Sequence, residues 1–266
     1  IVAVVAVLGA LSLPAANLHL ALPNSGQRPS QAQDRIAFDL ISEHFGPGLN
    51  GQLIVTVDIL NSDDPLTVID GIAADIKTLD GVASVPVTTP NANVDTGLIQ
   101  VIPTTGPDDP ATQDLADALR GLESQWKQTY GVDTAVTGLT AIQNDVSARL
   151  GSALLPFGIL VVGLSLVLLA AVFRSVWVPI KATVGYLLSV GAAFGATQLV
   201  FNQGFGKQLV NLERPVAIIS FLPILLMGIL FGLAMDYEVF LVSRMREEYV
   251  HGKSAIDAIK SGFVAS

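Results

Sequence analysis

The chain has 266 residues, of which 51% are hydrophobic and 14% charged, with mean hydropathy +0.57 and net charge −9. Soluble domains average about one quarter charged residues, so this balance points to a bilayer, and the acidic excess argues against nucleic-acid binding. The lack of cysteine excludes disulfides and thiolate metal sites, and His19, His44 and His251 stand at no metal-ligand spacing.

Residues 1–13 form an uncharged apolar run closed by Pro14. The run is shorter than the ~20 residues a spanning helix needs. It lacks the basic segment and initiator Met of a signal peptide, so it reads as the end of a transmembrane helix. With Ile at position 1 and no terminating signal near Ser266, the chain reads as a fragment of a longer polypeptide.

Residues 14–149 are polar, with 17 acids against 6 bases, and hold all of the negative excess. Helical spacing over 33–45 puts Ala37, Leu40 and Ile41 on one face. The β-branched run 52–59 predicts a strand. Asp64 and Pro65 are N-cap and first position of a helix over 65–79. Strands follow over 81–86 and 97–103, then a helix from Asp109-Pro110 to about Tyr130, and a strand over 133–138. The order β-α-β-β-α-β predicts a split, ferredoxin-like α+β domain.

Beyond residue 149 the chain changes character. Residues 150–173, 182–206 and 215–235 are uncharged runs of 24, 25 and 21 residues. Each can cross about 30 Å of hydrocarbon at ~1.5 Å per residue. They predict transmembrane helices over 150–173, 179–201 and 216–243, followed by a cytoplasmic amphipathic segment over 244–266. Arg174 and Lys181 flank one short turn, and Arg244, Arg246, Lys253 and Lys260 follow the last span. By the positive-inside rule both sites are cytoplasmic, which puts residues 14–149 outside, with Trp177 at an interface. In the middle span Gly185, Ser189, Ala193 and Thr197 recur every fourth residue as a packing row, and Pro223 predicts a kink in the last.

The last span holds the chemistry. Gly228, Gly232 and Asp236 recur every fourth residue and share a helix face. Two glycines at that spacing let a neighbouring helix approach closely, so the carboxylate one turn on points at a neighbour. Asp236 precedes Arg244 by eight residues, or ~12 Å of helix, and a charged Asp at that depth costs at least ~2.5 kcal/mol. A carboxyl that can be neutral or charged at a packed interface is what a proton carrier requires; the other reading of Asp236 is a structural hydrogen bond between helices. Tyr237 can donate to a carboxylate on a partner helix or can simply pack. Glu238, about 200° round from Asp236, faces elsewhere.

The stretch 232–249, with Asp236-Tyr237-Glu238 followed by Arg244 and Arg246, resembles the signature of MMPL transporters of the resistance–nodulation–division superfamily, in the second-half version. Residues 39–51 and 173–181 are similar to the porter-domain entry and an interhelical turn of actinobacterial-type members. The resemblance implies a C-terminal-half fragment of a twelve-helix exporter in the bacterial plasma membrane. It would hold the end of helix 7, a porter domain and helices 8–10, while the N-terminal half and helices 11 and 12 lie elsewhere. It further implies a relay through Asp236 and Tyr237, opposite a second Asp-Tyr pair, that uses the proton gradient and no cofactor. Export of lipids or other hydrophobic compounds is then the expected function. The rival expectation is a non-transporting lipid receptor or scaffold of related architecture. An enzyme is not expected, since an intramembrane aspartyl protease needs two carboxylates sharing a proton and this chain offers one.

Overall fold

The computed structural model describes residues 2–264. Ile1, Ala265 and Ser266, at the ends of the predicted 1–13 and 244–266 segments, lie outside the described residues. In chain order the elements are α1 (Val2–Ser12), β1 (Leu20–Ala21), α2 (Gln33–Phe45), β2 (Leu53–Asp58), α3 (Pro65–Lys77), β3 (Val82–Pro90), β4 (Thr96–Pro103), α4 (Pro110–Gly121), α5 (Glu123–Tyr130), β5 (Thr134–Thr137), α6 (Leu139–Phe173), α7 (Trp177–Thr197), β6 (Ile218–Ile219), α8 (Leu222–Val250) and α9 (Ala255–Val264). The chain divides into two compact units, Ala21–Ala148 and Ile1–Leu20 with Arg149–Ser266.

The first unit is a mixed α/β domain. Its sheet has the order β3-β4-β2-β5, with every neighbouring pair antiparallel. Period-two alternation sends Leu53, Val55 and Val57 of β2 to one face, and Ile99 and Val101 of β4 join them; all five are fully buried. Over this face lie Ile69, Ile72 and Ile76 of α3, Leu115 and Leu119 of α4, and Trp126 of α5. Gly97, opposite Val57, is required there because a Cβ would come within 2.8 Å of the Ile69 side chain. The Trp126 indole donates to the Asp75 carboxylate at 3.0 Å, so the one polar atom of this buried ring is satisfied. Burial and the same carboxylate hold the Tyr130 hydroxyl above its ordinary value.

Caps and bulges set the limits of these elements. Asp64 accepts from the Thr67 amide and Asp109 from the Ala111 amide, each with Pro at the first helical position. Strand β3 runs on to Pro90 because two register irregularities, between Val82 and Ser84 and between Ser84 and Val87, accommodate Pro86 on an edge strand. The single helix expected up to Tyr130 is instead two, broken at Leu122 just after Gly121. Interior glycine costs a helix about 1 kcal/mol, and the Leu122 amide turns to the Leu119 carbonyl at 3.2 Å. In α2 the packed face differs from the expected one. Ala37 and Leu40 are exposed and Ile41 half-buried, while Arg35 is buried. Its guanidinium donates to Asp39 at 2.7 Å and to the Arg28 carbonyl at 2.9 Å, so an ion pair turns this helix inward.

The second unit is helical. Three of its helices, Leu139–Phe173, Trp177–Asn202 with its π-helical end, and Leu222–Val250, are long and apolar enough to cross a membrane, and Val2–Asn17 is a shorter apolar helix. The first begins at Leu139, upstream of the uncharged run. The last begins at Leu222, because Ile218 is extended and its amide donates to the His19 carbonyl at 3.0 Å. Pro223 therefore stands in the first turn of α8 and makes no kink, since its missing N–H would have had no helical partner there.

Helix α7 does not pack through its predicted row. Gly185 and Ser189 are exposed, and the Ser189 and Thr197 hydroxyls bond back to the carbonyls four residues earlier. Its close contact runs through Gly191 and Gly195. A Cβ on Gly195 would fall 1.7 Å from the Leu11 carbonyl oxygen, and one on Gly191 would fall 2.6 Å from the Ser12 hydroxyl. These two glycines seat α1 against α7, the small-residue packing that membrane helices use.

Candidate functional site

The site is built on α8. One face of this helix is fixed by Pro223, Met227 and Met235, all buried, with Phe231, Ala234 and Val239 partly buried beside them. They pack on Val161, Leu169 and Phe173 of α6 and on Ala182, Tyr186 and Val190 of α7. Met227 lies over Gly158 of α6, where a Cβ would come within 3.1 Å of its methyl carbon.

Tyr186 orients this face. It is 2% exposed, and its hydroxyl donates to the Met227 carbonyl at 3.0 Å across the α7–α8 contact. Its ring meets Phe231 edge-on, with centroids 5.7 Å apart and planes at 79°. Tyr186 escaped the reading of the sequence, although a lone phenol in an uncharged run is a signal that a partner is needed. The same unit buries two polar atoms with no hydrogen-bond partner among the described residues, Thr183 Oγ1 and Gln198 Oε1, both on the continuous helix through α7.

With that face turned inward, the Gly228-Gly232-Asp236 row is turned outward. All three residues are exposed, and a Cβ on either glycine meets nothing within 4 Å. No helix among the described residues takes up the close approach these glycines allow. Asp236 lies 14 residues from Leu222 and 14 from Val250, at the midpoint of the 29-residue helix. Each end is therefore about 21 Å away. Tyr237, 60% exposed, points about 100° away from Asp236. The two adjacent side chains thus face different directions rather than each other. Arg244 follows two turns on from Asp236, its guanidinium 5.9 Å from the Phe240 ring centroid and 3.0 Å from Glu247.

A carboxyl and a phenol are groups that can exchange a proton or make a hydrogen bond. Among the described residues no group of three or more His, Asp or Glu side chains could hold a metal ion.

Residues 67–265 match the MMPL family. The chain is 43% identical over 253 residues to the membrane protein YdfJ of Bacillus subtilis, covering 95% of this chain and 34% of that protein. It is 29% identical over 272 residues to the mycolic acid-containing lipids exporter MmpL11 of Mycolicibacterium smegmatis, covering 99% and 28%. To the trehalose monomycolate exporter MmpL3 of the same organism it is 33% identical over 146 residues, covering 55% and 14%. The chain spans about a third of the length of the first of these relatives and less of the others. The extent of the match and the three long apolar helices lead to one assignment: this chain is a membrane protein of the MMPL family.

Proposed function

We propose that the chain is the second-half portion of a proton-driven exporter of the resistance–nodulation–division type, moving lipids or other hydrophobic compounds across the bacterial inner membrane. Residues 14–149 are its extracytoplasmic porter domain, for which the sheet order β3-β4-β2-β5 supports a ferredoxin-like reading. The short basic loops support the sidedness. The lipid class is supported by one relative named a mycolic acid-containing lipids exporter and one named a trehalose monomycolate exporter, and membrane transport, not catalysis, is the family's work.

The carrying observation is the position of Asp236 two turns, about 12 Å, inside Arg244 on a bilayer-length helix, on a face with two glycines and no partner among the described residues. Hydrocarbon accepts the neutral carboxylic acid, while the carboxylate costs about 2.5–3.5 kcal/mol at the centre of a helix. Such a group is compensated by a second helix, here supplied by the remainder of the protein and seated on Gly228 and Gly232. Gaining a proton removes a charge from that contact; losing it restores one. The fit between the helices then depends on protonation, and each charge moved through 100 mV supplies about 2.3 kcal/mol. Tyr237, aimed elsewhere, donates to an acceptor on the partner side. The rocking that follows drives the porter domain.

Asp236→Asn in the full-length protein keeps the size of the side chain and removes its proton exchange. Export driven by the proton gradient should fall to background with expression unchanged. Export at the wild-type rate would reject the mechanism, and lipid binding that never depended on the gradient would favour a receptor or scaffold.

A further inference from the structure

Where α6 ends against the last turns of α8, the helical unit has an open cavity of about 320 Å³. Val172, Phe173 and Val250 give it apolar walls, and Arg246, Glu247 and His251 line its polar side. Helix α6 stops there because Arg174 turns left-handed, with φ +50°. That leaves the Val172 carbonyl without a helical partner, and Arg246 donates to it at 3.2 Å. A cation at a helix C-terminus is favourable, but a carbonyl engages one N–H of a guanidinium that has five.

The charges around the cavity do not cancel. Glu247 is taken by Arg244 at 3.0 Å. Glu248 is taken by Lys253 and by the Ser261 hydroxyl. The His251 ring nitrogen Nδ1 meets the Glu247 carbonyl at 2.8 Å. Of the bases Arg244, Arg246 and Lys253, only Arg246 has no carboxylate partner among the described residues. An unneutralised guanidinium at the mouth of an apolar cavity, at the end of membrane-length helices, matches a ligand with a negative head and a hydrocarbon body.

We infer that this cavity binds an anionic phospholipid of the adjoining leaflet, its phosphate on Arg246 and the start of its acyl chains on Val172, Phe173 and Val250. The inference rests on the reading that these helices cross the bilayer with this end at the cytoplasmic face, and not on proton coupling. Basic pockets between spanning helices on that side hold anionic head groups.

The test is lipid binding by the full-length protein, delipidated in detergent and followed by native mass spectrometry. The probes are phosphatidylglycerol, phosphatidylcholine of the same acyl chains, and glycerol 3-phosphate. Phosphatidylglycerol should bind in preference to phosphatidylcholine, and glycerol 3-phosphate should not displace it. Arg246→Gln should weaken phosphatidylglycerol about fivefold, and Arg246→Lys should restore most of the loss. Val250→Trp, which fills the cavity with the guanidinium intact, should weaken it as well. Melting temperatures identify any variant that fails to fold. Equal binding of the two lipids, displacement by glycerol 3-phosphate, or wild-type binding in folded Arg246→Gln and Val250→Trp would each overturn the site. Asp236→Asn should leave this selectivity untouched, so failure of the relay and failure of the lipid site are told apart.

Discussion

The two units of this chain treat their apolar side chains in opposite ways. In the sheet unit Leu53, Val55, Ile72 and Leu119 are 0% exposed, and the outward positions are largely polar. In the helical unit Leu155 is 72% exposed, Val167 68% and Leu233 65%, with few buried side chains along each span. The first unit makes its own apolar interior; the second leaves most of its apolar surface exposed, as helices long and apolar enough to cross a membrane do. A polar group therefore means different things in each. Asp75 accepts from the buried Trp126 indole, whereas Asp236 lies on an exposed face with no helix against it among the described residues.

Truncating the core should separate the two units most strongly. Trp126→Ala removes a fully buried ring and should cost about 3–5 kcal/mol, and Leu119→Ala about 2–5 kcal/mol. Leu155→Ala on the exposed face of α6 opens no cavity among the described residues and should cost under about 1 kcal/mol. Thermal unfolding in detergent with a probe on each unit reads the difference, and equal losses would erase the distinction.

The glycines offer the next contrast, inside the helical unit. Gly195→Ala drives a methyl group into the Leu11 carbonyl, and such overpacking should cost about 1–3 kcal/mol and loosen α1. Gly232→Ala meets nothing among the described residues, so any loss of stability and export in the full-length protein would come from the proposed partner helix. Unimpaired export in Gly232→Leu would show that no helix approaches that face.

Tyr186→Phe keeps the ring on Phe231 and removes the bond to Met227. Hydrogen bonds between membrane helices average about 0.6 kcal/mol, with a ceiling near about 1.7 kcal/mol. A small drop in stability is expected, accompanied by faster exchange of backbone amides near Met227.

The smallest effect is a pH dependence in the sheet unit. The Thr67 hydroxyl and amide hold the Asp64 carboxyl below its ordinary value of 3.8. A carboxylate lowered by folding adds stability that is complete above the unfolded value and is lost as pH falls through the folded one. Asp64→Ala should therefore start α3 less firmly at neutral pH, and its deficit should vanish as pH drops below 3.8. A deficit constant down to pH 2 would place the effect in packing rather than in the cap.

What the sequence displayed well was whatever depends on nearest neighbours. The alternation through Leu53, Val55 and Val57, the caps at Asp64 and Asp109, and the uncharged runs are local signals, and each appears as an element. What it concealed depends on what stands opposite. Helix α2 could not be oriented, because Arg35 reads as a surface residue until Asp39 and the Arg28 carbonyl are seen to satisfy it. Helix α7 carries two rows of small residues, and only the place of α1 selects Gly191 and Gly195. Pro223 turned on where α8 begins, which the extended Ile218 decides. Asp236 and its glycines were legible as a pattern on a face. The neighbour for that face is not in the described residues, so the relay rests on the pattern and on the depth of Asp236 inside Arg244.

The most direct measurement is proton uptake at Asp236 itself, by infrared difference spectroscopy of the full-length protein in lipid between acid and alkaline pH. Acidification should bring up a carboxyl carbonyl band that shifts in deuterium oxide. Over the common signal of the surface acids, the wild type should exceed Asp236→Asn by the intensity of one carboxyl group. A band of equal intensity in Asp236→Asn would contradict the account, because the titrating acid would then lie elsewhere.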